Sequence, residues 1–78
     1  MNYRYRPAAI PDNAHPLVKR LFGEMHKQRI GLEEIAAATG LHRSTLTHWR
    51  KRSNPKVPDL EACFNVLGLT LVVQEIEK

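Results

Sequence analysis

Apolar residues recur along the chain in three stretches of helical spacing and one alternating stretch. Leu17, Val18, Leu21, Phe22 and Met25 follow one another at steps that place them on one broad helical face, which is expected to be core. Proline is tolerated in a first turn, so the helix is expected to begin near His15 or Pro16, with Asp12 or Asn13 serving its start. Lys19, Arg20, Glu24, Lys27 and Gln28 fall largely off the stripe. His26 reads as an exposed helical histidine, and Gly31 marks the break before the next helix.

The second stretch, Leu32 to Arg52, reads as two short helices joined at Gly40. Ile35 and Ala36 face inward on the first, and Ala36 is small where a second helix must cross closely. Glu33 and Glu34 occupy its first turn, where carboxylates suit the amide-rich end of the macrodipole. Gly40 lacks a Cβ and takes the positive φ of a helix C-cap without steric cost. Leu41, Leu46 and Trp49 are the inward residues of the following helix. Arg43, Ser44, Thr47, His48 and Lys51 are left on an outer face with donors and no carboxylate.

Ser53 to Pro58 is dense in turn formers. Asp59 is expected to cap a helix with the stripe Leu60, Cys63, Phe64 and Leu67, ended by Gly68. Leu69 to Glu77 then alternates, with Leu69, Leu71 and Val73 on one side and Thr70, Val72, Gln74 and Ile76 on the other, as a β-strand does. Tyr3 to Arg6 alternates aromatic and basic residues and suits a short strand, stopped by Pro7 and Pro11. Three readings are open for this arm: Arg4 and Arg6 reaching DNA, the segment pairing with another strand of this protein, or a frayed tail. The expected organisation is an arm at 1–14, a helical domain at 15–68 and a strand at 69–78.

Composition sharpens this outline. A chain of 78 residues makes one domain, and at that size only about 60% of the unfolded surface is buried, so a second copy is a natural source of further burial. The apolar share of 42% argues against disorder throughout. Cys63 is the lone cysteine, at helical spacing with its apolar neighbours, and reads as a core thiol in a reducing compartment. No apolar run approaches the roughly 20 residues of a membrane helix, and the N-terminus lacks a signal-peptide pattern; a cytoplasmic chain with no membrane partner is expected.

The formal charge is +4, and its distribution matters more than its size. Between Glu34 and Asp59 there is no acid, while Arg43, Arg50, Lys51, Arg52 and Lys56 all fall there. Such a stripe is the electrostatic footprint of a polyanion binder. Catalytic constellations are missing by comparison. Adjacent Glu33 and Glu34 point about 100° apart and cannot flank one substrate atom. His42 and His48 are too far apart on a helix to share a metal, and Cys63 has no cysteine partner. Ser44 and His48 lack an acidic orienter and an oxyanion donor. The expectation is a protein without catalytic residues, metal or cofactor.

Ala36, Gly40, Leu46 and Trp49, with Ile35 before and Leu41 within, resemble the helix-turn-helix of the lambda-repressor-like (Cro and XRE-type) DNA-binding proteins. Met25 to Ala36 resembles the first helix and loop of that family, and Pro58, Leu60, Cys63, Leu67 and Gly68 its following helix. Roughly residues 17 to 69 are covered. Leu32 stands where many members carry a phosphate-binding glutamine, and Thr39 where an apolar residue is common.

The resemblance implies a mainly α fold, a four-helix lambda-repressor-like helix-turn-helix domain, to which this chain adds a C-terminal strand, with a short N-terminal strand as a further candidate. It also implies that the second helix of the motif, about 42–52, enters the major groove of double-stranded DNA. Base edges are then reached by Arg43, Ser44, Thr47 and His48, and phosphates by His42, Arg50, Lys51, Arg52 and Lys56. Pairing of Leu69, Leu71, Val72, Val73 and Ile76 with a second copy is expected to make a homodimer that binds an inverted repeat, most simply as a transcriptional repressor. The alternative is an antitoxin or interaction module whose strand captures a toxin or other protein, DNA binding being secondary.

Overall fold

The computed structural model describes residues 5, 9–10, 13–50 and 53–77. They form four helices, α1 (Pro16–Gln28), α2 (Leu32–Thr39), α3 (Arg43–Trp49) and α4 (Val57–Val66). One core holds them together. Val18, Leu21, Phe22 and Met25 come from α1, Leu32 and Ile35 from α2, Leu46 and Trp49 from α3, and Leu60, Cys63 and Phe64 from α4, closed by Leu67. The helix α2 packs against both α3 and α4, with Ala36 half-buried at the core's edge. No helix among the described residues is long and apolar enough to cross a membrane.

Three of the helices end on a left-handed residue. At Gly40 (φ 78°) the amide donates to the Ala36 carbonyl at 2.9 Å and turns the chain from α2 toward α3. At Gly68 (φ 81°), the Leu69 amide reaches back to Phe64 and the Gly68 amide to Asn65, which tucks Leu69 under the end of α4. The end of α1 lies just before the break at Gly31, which is the cap position of α2. Its left-handed position is Arg29 (φ 57°), held by bonds from the Ile30 amide to Met25 and the Arg29 amide to His26. A non-glycine residue here is strained by roughly 1–2 kcal/mol, which those two bonds help offset. The Arg29 guanidinium lies 5.2 Å from the centre of the Tyr5 ring, so part of the N-terminal arm rests on the end of α1. Across the domain Gln28 donates to the Leu67 carbonyl at 2.8 Å, tying the ends of α1 and α4.

The helix α1 begins at Pro16, as expected, but the caps of two helices differ from the sequence reading. The cap of α1 is His15, whose Nδ1 accepts from the Leu17 amide at 3.0 Å; Asn13 lies outside the helix, and Asp12 lies outside the described residues. The cap position of α4 is Lys56, with Val57 and Pro58 inside the helix and Asp59 in its first turn. Pro58 reads as a loop residue, yet its fixed φ and missing amide suit a first turn. Within α1, Leu17 is 41% exposed because Val18, about 100° around the helix, takes the inward direction. His26 is half-buried, not exposed.

No strand occurs among the described residues, so the expected C-terminal strand is not seen. The physical reason is that a strand exists only against a ladder partner, and the helices of one copy offer none. Leu69 and Leu71 pack on the core, whereas Val72, Val73 and Ile76 stand in solvent. The segment therefore leaves the domain after Leu71. For the N-terminal arm, Tyr3, Arg4 and Arg6 lie outside the described residues, and Tyr5 is not in a strand.

Trp49 is 4% exposed, so its ring belongs to the core and is closed to stacking on bases. Trp49→Ala should cost about 3–5 kcal/mol, much of the stability of so small a domain. Urea denaturation followed by circular dichroism measures this; a cost below about 1 kcal/mol would remove Trp49 from the core.

Candidate nucleic-acid interface

The site is the outer side of α3 with the loop that follows it. This helix is seven residues long, about two turns, and has no side-chain hydrogen bond at its cap. Its position is set from inside by Leu46 and Trp49 and from its start by the turn. Thr39 builds that turn. Its hydroxyl donates to the Ile35 carbonyl at 2.8 Å and accepts from the Leu41 amide at 3.2 Å, so one side chain closes α2 and fixes where the connection begins. A threonine that departs from the resembled pattern has a structural role here.

The predicted base-reading residues are brought together on one helix, but not equally free. Arg43 begins α3, exposed, with Nη1 donating to Glu33 Oε1 at 3.2 Å. Ser44 is exposed, and its Oγ shares a hydrogen bond of 3.0 Å with His42 Nδ1. Thr47 is half-buried and spends its hydroxyl proton on the Arg43 carbonyl at 3.1 Å, which leaves it as an acceptor or an apolar methyl contact. His48 is exposed.

Of the predicted phosphate contacts, His42 and Lys56 are exposed at the cap positions of α3 and α4. A groove of about 360 Å³ runs between the two helices, lined by Leu41, Thr45, His48, Trp49, Ser53, Asn54, Lys56 and Asp59. Arg50 is half-buried, its guanidinium 5.8 Å from the centre of the Phe22 ring and its Nε buried with no hydrogen-bond partner among the described residues. It braces the end of α3 against α1 as well as carrying charge. Lys51 and Arg52 lie outside the described residues. The residues expected to pair with a second copy divide as the backbone does: Leu69 and Leu71 on the core, Val72, Val73 and Ile76 outside it.

Two features of the site were not read from the sequence. The outer face is not free of carboxylates, because folding sets Glu33 of α2 beside Arg43, and Asp59 borders the groove. The spacing of Glu33 and Arg43, ten positions across a turn, carries no periodic signal; only the crossing of α2 and α3 joins them. The dual bond of Thr39 had a signal: a hydroxyl at the last helical position can bond four residues back.

Among the described residues no group of His, Cys, Asp and Glu could hold a metal ion. Cys63 is fully buried, and burial first, then the Asp59 carboxylate, pushes its thiol up to about 11, so it is a protonated core side chain at neutral pH. Compared with protein-family models, with curated proteins and with solved structures, the chain matches none.

The turn gives a direct test. Thr39→Val keeps the volume but leaves the Leu41 amide without its partner, and should lower the unfolding free energy by about 1–3 kcal/mol, while Thr39→Ser should lower it less. Chemical denaturation of both variants checks the order, and a larger loss in Thr39→Ser than in Thr39→Val would show that the methyl group, not the hydroxyl, matters.

Proposed function

We propose that this chain is a sequence-specific regulator of transcription that binds double-stranded DNA with α3 in the major groove, most simply as a repressor. The observation that carries the reading is the division of α3. Leu46 and Trp49 are buried, while Arg43, Ser44 and His48 are exposed on a helix set off from α2 by a left-handed turn. A helix held by its inner face presents its outer face as a rigid unit, which is what reading base edges requires. The order of short helix, glycine turn and short helix supports the lambda-repressor-like resemblance and the helix-turn-helix assignment.

Arg43 has the donor fork to take O6 and N7 of a guanine, Ser44 donates or accepts, and His48 reaches a further base. Lys56, His42 and the polar lining of the groove beside α4 meet the backbone, joined by Lys51 and Arg52 from the sequence that follows α3. Arg50 adds charge to the same side while braced on Phe22. Phosphate contacts position the protein; Arg43 distinguishes sequences.

The exposed segment beyond Leu71 completes the reading. Its backbone, which joins no ladder among the described residues, and its Val72, Val73 and Ile76 side chains favour pairing with the same segment of a second copy, antiparallel about a two-fold axis. Strand structure at 69–78 then forms on assembly. Two copies of α3 would meet major-groove faces about 34 Å apart, on an inverted repeat. The same edge favours a second reading, in which a toxin or other protein takes the place of the second copy.

Arg43→Ala should cost about 1–3 kcal/mol on the preferred duplex and relax one base preference, with little effect on random DNA. Lys56→Ala should weaken binding to all duplexes and make the salt slope shallower by about one unit. Titrations of fluorescent duplexes at several salt concentrations check both, and an Arg43→Ala variant weakened equally on all sequences would refute the placement of α3. Ending the chain after Leu71 keeps Leu69 and Leu71 on the core and removes the exposed residues. Sedimentation should then show a dimer become a monomer; an unchanged dimer would move the interface to a helix face, and a full-length monomer would favour the partner-protein reading.

A further inference from the structure

Two ion pairs occur among the described residues, and one of them joins two helices. Arg20 with Glu24 lies within α1, whereas Glu33 of α2 reaches Arg43 of α3 at 3.2 Å. Both side chains of the second pair are about half exposed, at 51% for Glu33 and 56% for Arg43, so the pair adds little to the stability of the fold. It also places a carboxylate beside the first residue of the helix proposed to meet a polyanion. A negative charge there lowers affinity for DNA in general, and its position calls for another role.

We infer that Glu33 is a positioning residue that sets sequence discrimination by holding the guanidinium of Arg43; this rests on the DNA-binding reading above. The carboxylate takes only Nη1, and Nε and Nη2 make no hydrogen bond among the described residues. Those two nitrogens form one edge of the guanidinium fork, and that edge suits the paired acceptors O6 and N7 of guanine. Held at one corner, the arginine loses less conformational freedom when it engages a base.

The same carboxylate acts against the wrong complexes. An unrestrained arginine can turn to the nearest phosphate, a contact every sequence offers. Glu33 opposes that in two ways: it neutralises part of the charge of Arg43, and it repels a phosphate that approaches its own oxygens. Preference for the guanine edge therefore comes partly from a repulsive element directed at phosphate. Affinity is given up on all DNA, and more of it on the wrong DNA.

The test uses the full chain and the Glu33→Gln variant, which keeps the side-chain size and removes the charge. Binding is measured on the duplex enriched from a random pool and on a random-sequence duplex, over a range of salt. The variant should bind random DNA several-fold more tightly, with a salt slope steeper by up to about one unit. Its preferred-to-random ratio should fall about tenfold, within the range of a single bidentate base contact. In the Arg43→Ala background the same substitution should leave the ratio unchanged. A merely structural role for Glu33 would shift both duplexes together, and the ratio would not move. An unchanged ratio in Glu33→Gln, or a fall of the same size without Arg43, overturns the inference while leaving DNA recognition standing. A wild-type chain that prefers no duplex overturns the DNA-binding reading itself, and is seen before any variant is made.

Discussion

A helix of two turns does not persist in water by its own hydrogen bonds, because nucleation costs more than so few bonds return. α3 is such a helix, and it exists here because Leu46 and Trp49 are buried among side chains of the other helices. This tertiary anchoring is the constraint on which the rest depends. It fixes the rotation of α3 about its axis, and rotation decides which side chains face out. With Leu46 and Trp49 inward, Arg43, Ser44 and His48 are presented together. Loss of the anchor removes the displayed face with it.

The ends of the helix are held by smaller devices. Gly40 and the two hydrogen bonds of Thr39 fix where the turn lies, and Arg50, laid over Phe22, holds the other end to α1. The Gln28 bond to the Leu67 carbonyl then closes α1 onto the end of α4. The outcome is a short helix fixed at its middle and both ends, with Arg43 exposed and held at one corner by Glu33. A rigid backbone with a restrained donor at its first position suits reading a groove.

What the sequence made legible was governed by periodicity and by glycine. The stripes of α1, α2 and α4, the turn at Gly40, the inward Leu46 and Trp49 and the buried Cys63 all follow from local spacing. The structure departs from that reading where the deciding contact is not local. Arg29 takes a left-handed end because Ile30 and Met25 bond around it, and the cap of α1 falls to His15. Leu17 looks like core until its neighbour Val18 takes the inward direction. The alternation of Leu69 to Glu77 has a strand's period, but period alone supplies no ladder partner, and only Leu69 and Leu71 find the core. In the site the outward residues of α3 were legible, whereas Glu33 beside Arg43 was not, since only the crossing of two helices brings them together.

The account stands on α3 reading base pairs, and selection from a pool of random duplexes by the full chain, followed by sequencing, tests that most directly. It predicts enrichment of a short guanine-containing half-site, repeated in inverted orientation with centres about one helical turn apart. A pool that stays as diverse after selection as before it, with binding that tracks salt alone, would contradict it.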